Sequence, residues 1–289
     1  MAFRTIIIKN RCKLEYSLNY LVCRGEEEKR VLIDEIEILI IQNTLVSLTC
    51  ALLSALVEKK VKVIFCDPYA NPQFELMPYY NNYSTYKKIM SQVNFDEKIK
   101  SKLWARIVYE KILNQSRLLS KVDEEAANKL KGYLLEIEDG DISNREGHAA
   151  KVYFNALFGN NFFRGDISNP INKYLNYGYS IVVSAINREI KIMGYLTEIG
   201  IHHIGETNPF NLTYDFVEPL RSLIDSLVVN NQVTDDNYKD VCIQLLYRKV
   251  YFKKNQMLLE NALHLYVQSL FSALTKGSME EVQFIYYEL

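Results

Sequence analysis

The segment Val61-Lys62-Val63-Ile64-Phe65-Cys66-Asp67 divides the sequence into two unlike parts. It is rich in β-branched residues, which favours a strand, and Pro68, Pro72 and Pro78 follow it within eleven residues after a long stretch without proline. Such a concentration of proline is typical of a linker. The sequence therefore predicts an N-terminal domain over residues 1–67, a linker over residues 68–84 and a C-terminal domain over residues 85–289.

The N-terminal part has the pattern of a small β-rich domain. The run Thr5-Ile6-Ile7-Ile8 and the alternation from Val31 to Glu37 predict strands, as does the dividing segment itself. One helix is predicted over Leu45 to Lys59, where Leu and Ala recur at helical spacing. We expect this helix to pack on the sheet.

The C-terminal part lacks strand-like alternation and carries long stretches with a period of 3.6 residues, which predicts helices. These stretches are Asp96 to Leu119, Asp123 to Glu138, Glu146 to Leu157, Asn169 to Tyr195, Leu212 to Val229, Asp236 to Val250 and Gln256 to Leu274. The fold class predicted from the sequence is therefore α+β, with a small β-rich domain followed by a larger all-helical domain.

The composition is that of an ordinary globular protein, because 48% of the 289 residues are hydrophobic and 24% are charged. A net charge of −1 gives no overall attraction to nucleic acid. Any affinity for DNA must then come from local basic patches.

The five cysteines form no Cys-x-x-Cys pair, so neither a disulfide framework nor a zinc site is predicted. Cys50 and Cys66 lie in apolar runs and are predicted to be buried. Free thiols favour a reducing cytoplasm, and the sequence shows neither an apolar export segment nor an apolar run long enough to span a bilayer. We expect a cytoplasmic protein with no membrane association.

Glu146, His203 and Glu218 are candidate metal ligands, each in a short polar break within apolar, helix-forming sequence. A hard divalent cation such as Mg2+ or Mn2+ prefers oxygen ligands and tolerates one imidazole, and three protein ligands leave coordination positions open for a phosphate.

Simpler interpretations remain open at this point. Glu146 fits a solvated glutamate in the first turn of a helix, where the macrodipole favours it. His203 fits a surface loop, and its neighbour His202 competes for the ligand role. Pro219 either starts a helix beside Glu218 or bends a longer one.

Three phrases carry a resemblance to a known family: Arg145-Glu146-Gly147, Ile199-Gly200-Ile201-His202-His203, and Asp215-Phe216-Val217-Glu218-Pro219-Leu220-Arg221. Together they resemble the CRISPR-associated integrase of the adaptation module, in its type II-A branch. Asn172 to Tyr179 is similar to a helix start between the first and second ligands of that family, and Val61 to Asp67 is similar to its closing N-terminal strand. The resemblance covers nearly the whole chain.

The resemblance implies that Glu146, His203 and Glu218 are both the metal ligands and the catalytic residues, with Mg2+ or Mn2+ as the cofactor. It places the ligand at His203 and an apolar or aromatic side chain at the position of His202. Asp215 is a candidate for a supporting role or for an alternate ligand. Further candidates for a supporting role are His202, His148, Arg145 and Arg221.

Two basic clusters are candidates for DNA binding. Lys98, Lys102 and Arg106 recur every four residues and share one helical face. The second cluster, Arg248, Lys249, Lys253 and Lys254, is interleaved with aromatic residues, which suits a track along a nucleic-acid backbone. An ordinary solvated face explains the first cluster equally well, and the aromatic residues of the second fit a core.

The resemblance implies an enzyme that joins the 3′-hydroxyl ends of short foreign DNA fragments to a CRISPR repeat by transesterification. It further implies a homodimer, with the N-terminal domain as the expected dimerisation unit, bridged by a small CRISPR-associated adaptation protein. In the type II-A branch a ring-shaped DNA-binding accessory protein and the RNA-guided effector nuclease are further partners. The residues alone also allow a non-catalytic helical DNA-binding scaffold or a metallohydrolase of small molecules.

Overall fold

The computed structural model describes residues 4–68, 72–79, 85–230 and 232–289. The chain divides into two compact units, Met1–Asn81 and Asn82–Leu289. The first unit is rich in strands and the second is mostly helical. This order of elements confirms the predicted α+β class.

The first unit contains two four-stranded sheets and one helix. Its elements are β1 (Arg4–Ile8), β2 (Lys13–Ser17), β3 (Tyr20–Arg24), β4 (Glu28–Leu32), β5 (Ile36–Ile41), β6 (Ser47–Leu48), α1 (Cys50–Glu58), β7 (Lys62–Cys66) and β8 (Pro72–Glu75). One sheet has the order β1-β5-β7-β8 and the other the order β4-β3-β2-β6. Strand β5 pairs in parallel with both β1 and β7.

The core of this unit is formed by side chains from both sheets and from α1, including Leu14, Leu39, Leu52 and Val63. Helix α1 begins at Cys50, later than predicted, because the Thr49 side chain accepts a hydrogen bond from the Leu52 amide and caps the helix. All five cysteines are free thiols. Cys66 is buried as predicted, but the prediction for Cys50 was wrong: it lies on the outer face of α1 and is exposed.

Part of the predicted linker is a strand. Strand β8 pairs antiparallel with β7 at the edge of the first sheet, and the Phe74 ring stacks on Phe65 with centroids 4.5 Å apart. An edge strand tolerates a proline at its first position because no ladder partner needs that missing N–H. Residues 69–71 and 80–84 of the predicted linker lie outside the described residues.

The second unit is built around two 23-residue helices, α3 and α6. Its elements are α2 (Thr85–Val93), α3 (Glu97–Leu119), α4 (Glu124–Leu134), α5 (Arg145–Phe158), α6 (Pro170–Ile192), α7 (Asn211–Val217), α8 (Arg221–Val229), α9 (Tyr238–Gln244), β9 (Lys249–Phe252), β10 (Asn255–Leu258) and α10 (Leu259–Lys276). Helix α3 packs against α4, α5, α8 and α10. It begins where the Asp96 carboxylate accepts hydrogen bonds from the Lys98 and Ile99 amides.

The prediction that this unit is all-helical was wrong, because β9 and β10 form an antiparallel hairpin. The turn residues Lys253 and Lys254 both have positive φ, at 48° and 69°, as a two-residue hairpin turn requires. Asn and Gly are the usual residues in such a turn. Because two lysines stand there instead, the sequence did not predict the turn. Within the described residues, no helix is long and apolar enough to cross a membrane.

Candidate functional site

Glu146 lies in the first turn of α5, and two side chains fix the backbone there. The Asp141 carboxylate accepts hydrogen bonds from the Arg145 and Glu146 amides at 2.8 and 2.9 Å. The Asn144 side chain accepts a third from the Gly147 amide at 3.2 Å. A Cβ on Gly147 would lie 2.8 Å from the Asn144 oxygen, so a glycine is needed beside this cap. The direction in which Glu146 leaves the helix is therefore well defined.

Glu218 opens a short 3₁₀ turn, Glu218–Leu220, that joins α7 to α8. Pro219 thus interrupts the predicted long helix rather than starting an isolated one. Its carbonyl accepts hydrogen bonds from the Asn114 amide group at 3.0 Å and from the Tyr287 hydroxyl at 2.6 Å. These buried contacts anchor the turn against α3 and the C-terminal segment.

Lys111 brings the two glutamates together. Its ammonium nitrogen lies 2.5 Å from Glu146 Oε1 and also forms an ion pair with Glu218 Oε2. Arg221 donates to the other oxygen of Glu218, with its Nε at 2.8 Å. The structure therefore places two predicted ligands, from separate helical segments, on one cation.

Lys111 was missed by the sequence analysis, although the sequence contains a signal for it. It follows Leu103 and Ile107 at intervals of four residues on the buried face of α3, and it is only 7% exposed. A lysine at a core position of an amphipathic helix needs a buried anionic partner. Glu146 and Glu218 are those partners.

The buried charges stabilise one another in the ionised form. Burial raises the pKa of Glu218, but Arg221 and Lys111 outweigh this effect and lower it to about 2. Burial likewise lowers the pKa of Lys111, whereas Glu218 and Glu146 more than compensate, and its pKa is raised overall. At neutral pH Glu218 is therefore a carboxylate and Lys111 an ammonium.

His203 lies in the loop between α6 and α7, which wraps around the carboxylate of Asp215. Asp215 is fully buried and accepts hydrogen bonds from the backbone amides of Ile201, His202 and His203 at 2.7, 3.2 and 3.1 Å. A Cβ on Gly200 would lie 2.2 Å from the His203 carbonyl oxygen. Only glycine fits this close turn of the loop.

The same carboxylate orients the His203 ring, since His203 Nδ1 lies 2.7 Å from Asp215 Oδ1. The hydrogen bond to Asp215 raises the pKa of His203, burial opposes it, and the charges of Asp215, Glu218 and Glu146 add to the increase. When the imidazole is neutral, a hydrogen bond from Nδ1 to this carboxylate leaves Nε2 as the ligand atom. Asp215 thus supports His203 rather than facing the glutamates as an alternate ligand.

Two further side chains hold the loop at its ends. The Gln92 amide group donates to the carbonyls of Leu196 and Ile199 and accepts from the Leu196 amide. The Asn211 amide group donates to the carbonyls of Glu198 and Gly205. Both residues are buried amides, and no pattern in the sequence distinguishes them from ordinary polar positions.

His202 has a packing role. Its ring stacks on Trp104 with centroids 4.0 Å apart and an interplanar angle of 6°, while His203 meets the same indole edge-on at 5.7 Å. His202 therefore packs on Trp104, at a position where the family resemblance implies an apolar or aromatic side chain.

The remaining supporting candidates divide into two groups. Arg221 contacts Glu218 directly, as described above. Arg145 instead pairs with Glu136 at 2.9 Å and lies over the Tyr133 ring, and exposed His148 lies beside the same ring. The structure shows neither of these two in contact with Glu146.

In the part of the chain that the structure describes, no three His, Cys, Asp or Glu side chains lie close enough to hold a metal ion. The donor set nonetheless fits a hard divalent cation, because two carboxylates already share one positive charge and their charges contribute to the raised pKa of His203. Glu146, Glu218 and His203 Nε2 would hold such an ion once the Lys111 ammonium has left the gap.

The basic candidates differ in their surroundings. Lys98 and Lys102 are exposed on α3, whereas Arg106 pairs with Glu110 at 2.7 Å and lies against the Tyr109 and Phe284 rings. Arg248 is partly buried and donates to the Glu288 carbonyl. Lys249, Lys253 and Lys254 are exposed on the hairpin.

Phe284 connects the two basic clusters. It lines a cavity together with Tyr251, Lys253, Lys254, Gln283 and Tyr286, and it also contacts Arg106 of the first cluster. The clusters therefore lie on neighbouring surfaces of the second unit, and aromatic rings separate them.

Comparisons with known proteins identify relatives of this chain. A family model described as "CRISPR associated protein Cas1" matches residues 5–242. A protein named "CRISPR-associated endonuclease Cas1" from Neisseria meningitidis serogroup C (strain 8013) is 37% identical over 232 residues, which is 80% of this chain and 76% of that protein.

Two solved structures share the fold at low sequence identity. A casposase bound to an integration product has a TM-score of 0.74 and 17% identity, with 96% of this chain and 92% of that chain covered. A Cas6-RT-Cas1–Cas2 complex has a TM-score of 0.77 and 16% identity over 97% of this chain. This chain spans only 36% of the length of the matching chain in that complex.

Proposed function

Because the chain belongs to the CRISPR-associated Cas1 family, we propose that it is a metal-dependent DNA integrase with endonuclease-type chemistry. It inserts short foreign DNA fragments into a CRISPR array during spacer acquisition, as part of antiviral defence. The name of the Neisseria relative, an endonuclease, and the casposase fold support a nuclease or integrase.

One observation carries the proposal: Glu146 and Glu218 come from separate helical segments and meet at a single cation. Two carboxylates this close together, one of them buried, repel each other unless a positive charge lies between them. The imidazole of His203, fixed by Asp215, adds the third candidate ligand. Mg2+ and Mn2+ are the cations that this donor set suits.

In the proposed reaction the 3′-hydroxyl of a DNA fragment attacks a phosphorus of the repeat. A new O–P bond forms, the bond to the leaving 3′-oxygen of the repeat breaks, and the proton passes to that oxygen, so no covalent protein intermediate is needed. A bound Mg2+ or Mn2+ supplies charge stabilisation for the phosphate and lowers the pKa of the attacking hydroxyl. Glu146, His203 and Glu218 would hold this ion, and Asp215, which contacts Nδ1 of His203, leaves Nε2 as the ligand atom when the ring is neutral.

We propose Lys98, Lys102, Lys249, Lys253 and Lys254 as phosphate contacts, since all are exposed. Arg106 and Arg248 have partners within the chain and would have to exchange them for DNA. Such contacts bind largely regardless of sequence and weaken with salt.

The proposed assembly is a homodimer formed through the N-terminal unit and bridged by a small CRISPR-associated adaptation protein. A reaction at two separated phosphates suits a dimer with two separated sites. We assign the chain to the type II-A branch, with the ring-shaped accessory protein and the RNA-guided effector nuclease as further partners, and to the cytoplasm. The phrases around the ligands support that branch, and the free cysteines support a reducing compartment.

A non-catalytic DNA-binding scaffold is the second candidate, because Lys111 already neutralises the two glutamates without a metal. In that case the carboxylates have a purely structural role. Activity would then be absent and DNA binding would be indifferent to metal.

The test is strand transfer of a labelled 3′-hydroxyl duplex into a supercoiled plasmid that carries the repeat, with the small adaptation partner present. Mn2+, Mg2+ and chelator are compared for the wild type, Glu146→Ala and His203→Ala, each checked for folding. Metal-dependent joining that both variants lose supports the integrase and its ligands. DNA binding without joining by the wild type would favour the scaffold.

A further inference from the structure

We propose that Lys111 is a built-in competitor of the metal ion, which occupies the gap between Glu146 and Glu218 in the metal-free chain and leaves it when a divalent cation binds. This inference rests on the proposed function, since it takes the two glutamates as ligands. It adds a residue that sets the affinity of the site for metal.

The geometry makes the two cations mutually exclusive. The Lys111 ammonium contacts Glu146 Oε1 and Glu218 Oε2, one oxygen from each carboxylate. A metal held by both side chains would need the carboxylate oxygens that the ammonium now contacts, because Mg2+ prefers close oxygen ligands, at about 2.0–2.1 Å. Two cations on the same pair of oxygens would also repel each other.

Lys111 is the exchangeable partner and Arg221 the fixed one. Arg221 contacts Glu218 Oε1 through both Nε and Nη2 at 2.8 Å, and its guanidinium lies over the Tyr179 ring at 4.7 Å. Lys111 has a flexible four-carbon stem and a point charge. It is the cation that bridges both carboxylates, so a metal replaces Lys111 and not Arg221.

Lys111 also stabilises the metal-free chain. Without Lys111, Glu146 and Glu218 would face each other with one counter-charge, Arg221, bound to Glu218 alone. Unpaired buried charge is strongly destabilising. Lys111 therefore keeps the site folded and its carboxylates close together, at the expense of weaker metal binding.

The test compares Mn2+ binding by isothermal titration calorimetry and thermal unfolding with and without Mn2+, both on the full chain without DNA. Lys111→Met keeps the length of the stem and removes the charge. We expect it to bind Mn2+ at least tenfold more tightly, a difference of about 1.4 kcal/mol. It should also unfold at a lower temperature without metal and gain more from Mn2+ than the wild type.

Two variants serve as comparisons. Lys111→Arg retains a charge that binds carboxylates more strongly, so it should bind Mn2+ more weakly than the wild type. Lys131→Met removes an exposed lysine of α4 whose ammonium contacts Asn128, and it should bind Mn2+ as the wild type does.

The outcomes separate this inference from the proposed function. If Glu146→Ala binds Mn2+ as the wild type does, the metal site itself is refuted. If Glu146→Ala loses Mn2+ while Lys111→Met binds no more tightly than the wild type, only the competition is refuted. If Lys111→Met folds only when Mn2+ is added, the competition is supported. If it does not fold at all, Lys111→Arg decides: weaker binding than the wild type supports the inference, and equal or tighter binding overturns it.

Discussion

Replacing Asp215 with asparagine should separate the loop that carries His203 from its anchor. Each carboxylate oxygen of Asp215 accepts two hydrogen bonds: Oδ2 from the Ile201 and His202 amides, and Oδ1 from the His203 amide and the His203 ring. Asparagine keeps one accepting oxygen and places an NH2 group against the other two donors. Two hydrogen bonds to a charged acceptor are lost in either orientation.

The magnitude follows from this count. Hydrogen bonds to charged groups contribute roughly 1.5–3 kcal/mol each, so the variant should lose at least about 3 kcal/mol of unfolding free energy. For a unit of this size, about 2–4 °C of melting temperature corresponds to each kcal/mol, which gives a decrease of about 6–12 °C. Loss of the partner that orients a ligand histidine should also weaken Mn2+ binding by about 10- to 100-fold.

Thermal unfolding and calorimetric Mn2+ titration measure both effects. Asp123→Asn is the matched control, because Asp123 is an N-cap of α4 that accepts from the Ala126 amide at 3.0 Å, and asparagine caps helices as well as aspartate does. The reasoning is refuted if Asp215→Asn melts within about 1 °C of the wild type and binds Mn2+ with unchanged affinity.

The remaining predictions concern pH, DNA and the hairpin. The hydrogen bond to Asp215 raises the pKa of His203 above its ordinary 6.5. The ion pair of protonated His203 with Asp215 therefore stabilises the metal-free chain fully below about pH 6.5, and this contribution is lost as the pH rises through the raised pKa. Urea unfolding of the wild type and of His203→Gln from pH 5 to pH 9 measures it. If both proteins show the same pH dependence of the unfolding free energy, the pair does not contribute. Because a metal needs the neutral ring, Mn2+ binding should release protons and weaken in acid, which titrations in buffers of different ionisation enthalpy detect. Replacing Lys98 and Lys102 with glutamate should weaken DNA binding and reduce the steepness of log affinity against log salt concentration by about 2. The affinity for Mn2+ should not change. An unaltered slope would show that this face of α3 does not bind DNA. Replacing Lys253-Lys254 with Asn-Gly should stabilise the chain by about 1 kcal/mol because both positions have positive φ, and a lower melting temperature would contradict that assignment.

Local periodicity in the sequence predicts the long helices. It does not reveal a hairpin whose turn lacks the usual turn residues, or a strand that contains proline. Apolar periodicity located the long helices α3 and α6 well. Lys253 and Lys254 concealed a hairpin because neither is a typical residue for a turn with positive φ. Strand β8 was hidden among prolines, since its stability comes from pairing with β7 and from the stacking of Phe74 on Phe65.

In the candidate site, too, the sequence predicts some residues and only the folded chain reveals the others. Short phrases of the sequence point to Glu146, His203 and Glu218, and in the structure Glu146 and Glu218 both contact the Lys111 ammonium. The charges of both glutamates contribute to the raised pKa of His203. The role of Asp215 depends on a loop that folds back over its carboxylate, which spacing along the chain does not reveal. The sequence did not predict a role for Lys111 because its partners are distant along the chain. Its position on the buried face of α3 is the one feature that indicates a buried charge.

Anomalous diffraction from crystals grown with Mn2+ would locate the ion relative to the three proposed ligands. We predict a peak within bonding distance, about 2.0–2.3 Å, of a carboxylate oxygen of Glu146, a carboxylate oxygen of Glu218 and Nε2 of His203, with the Lys111 ammonium displaced. A Lys111 ammonium that still bridges the two glutamates at saturating Mn2+, with no peak at His203, would contradict it.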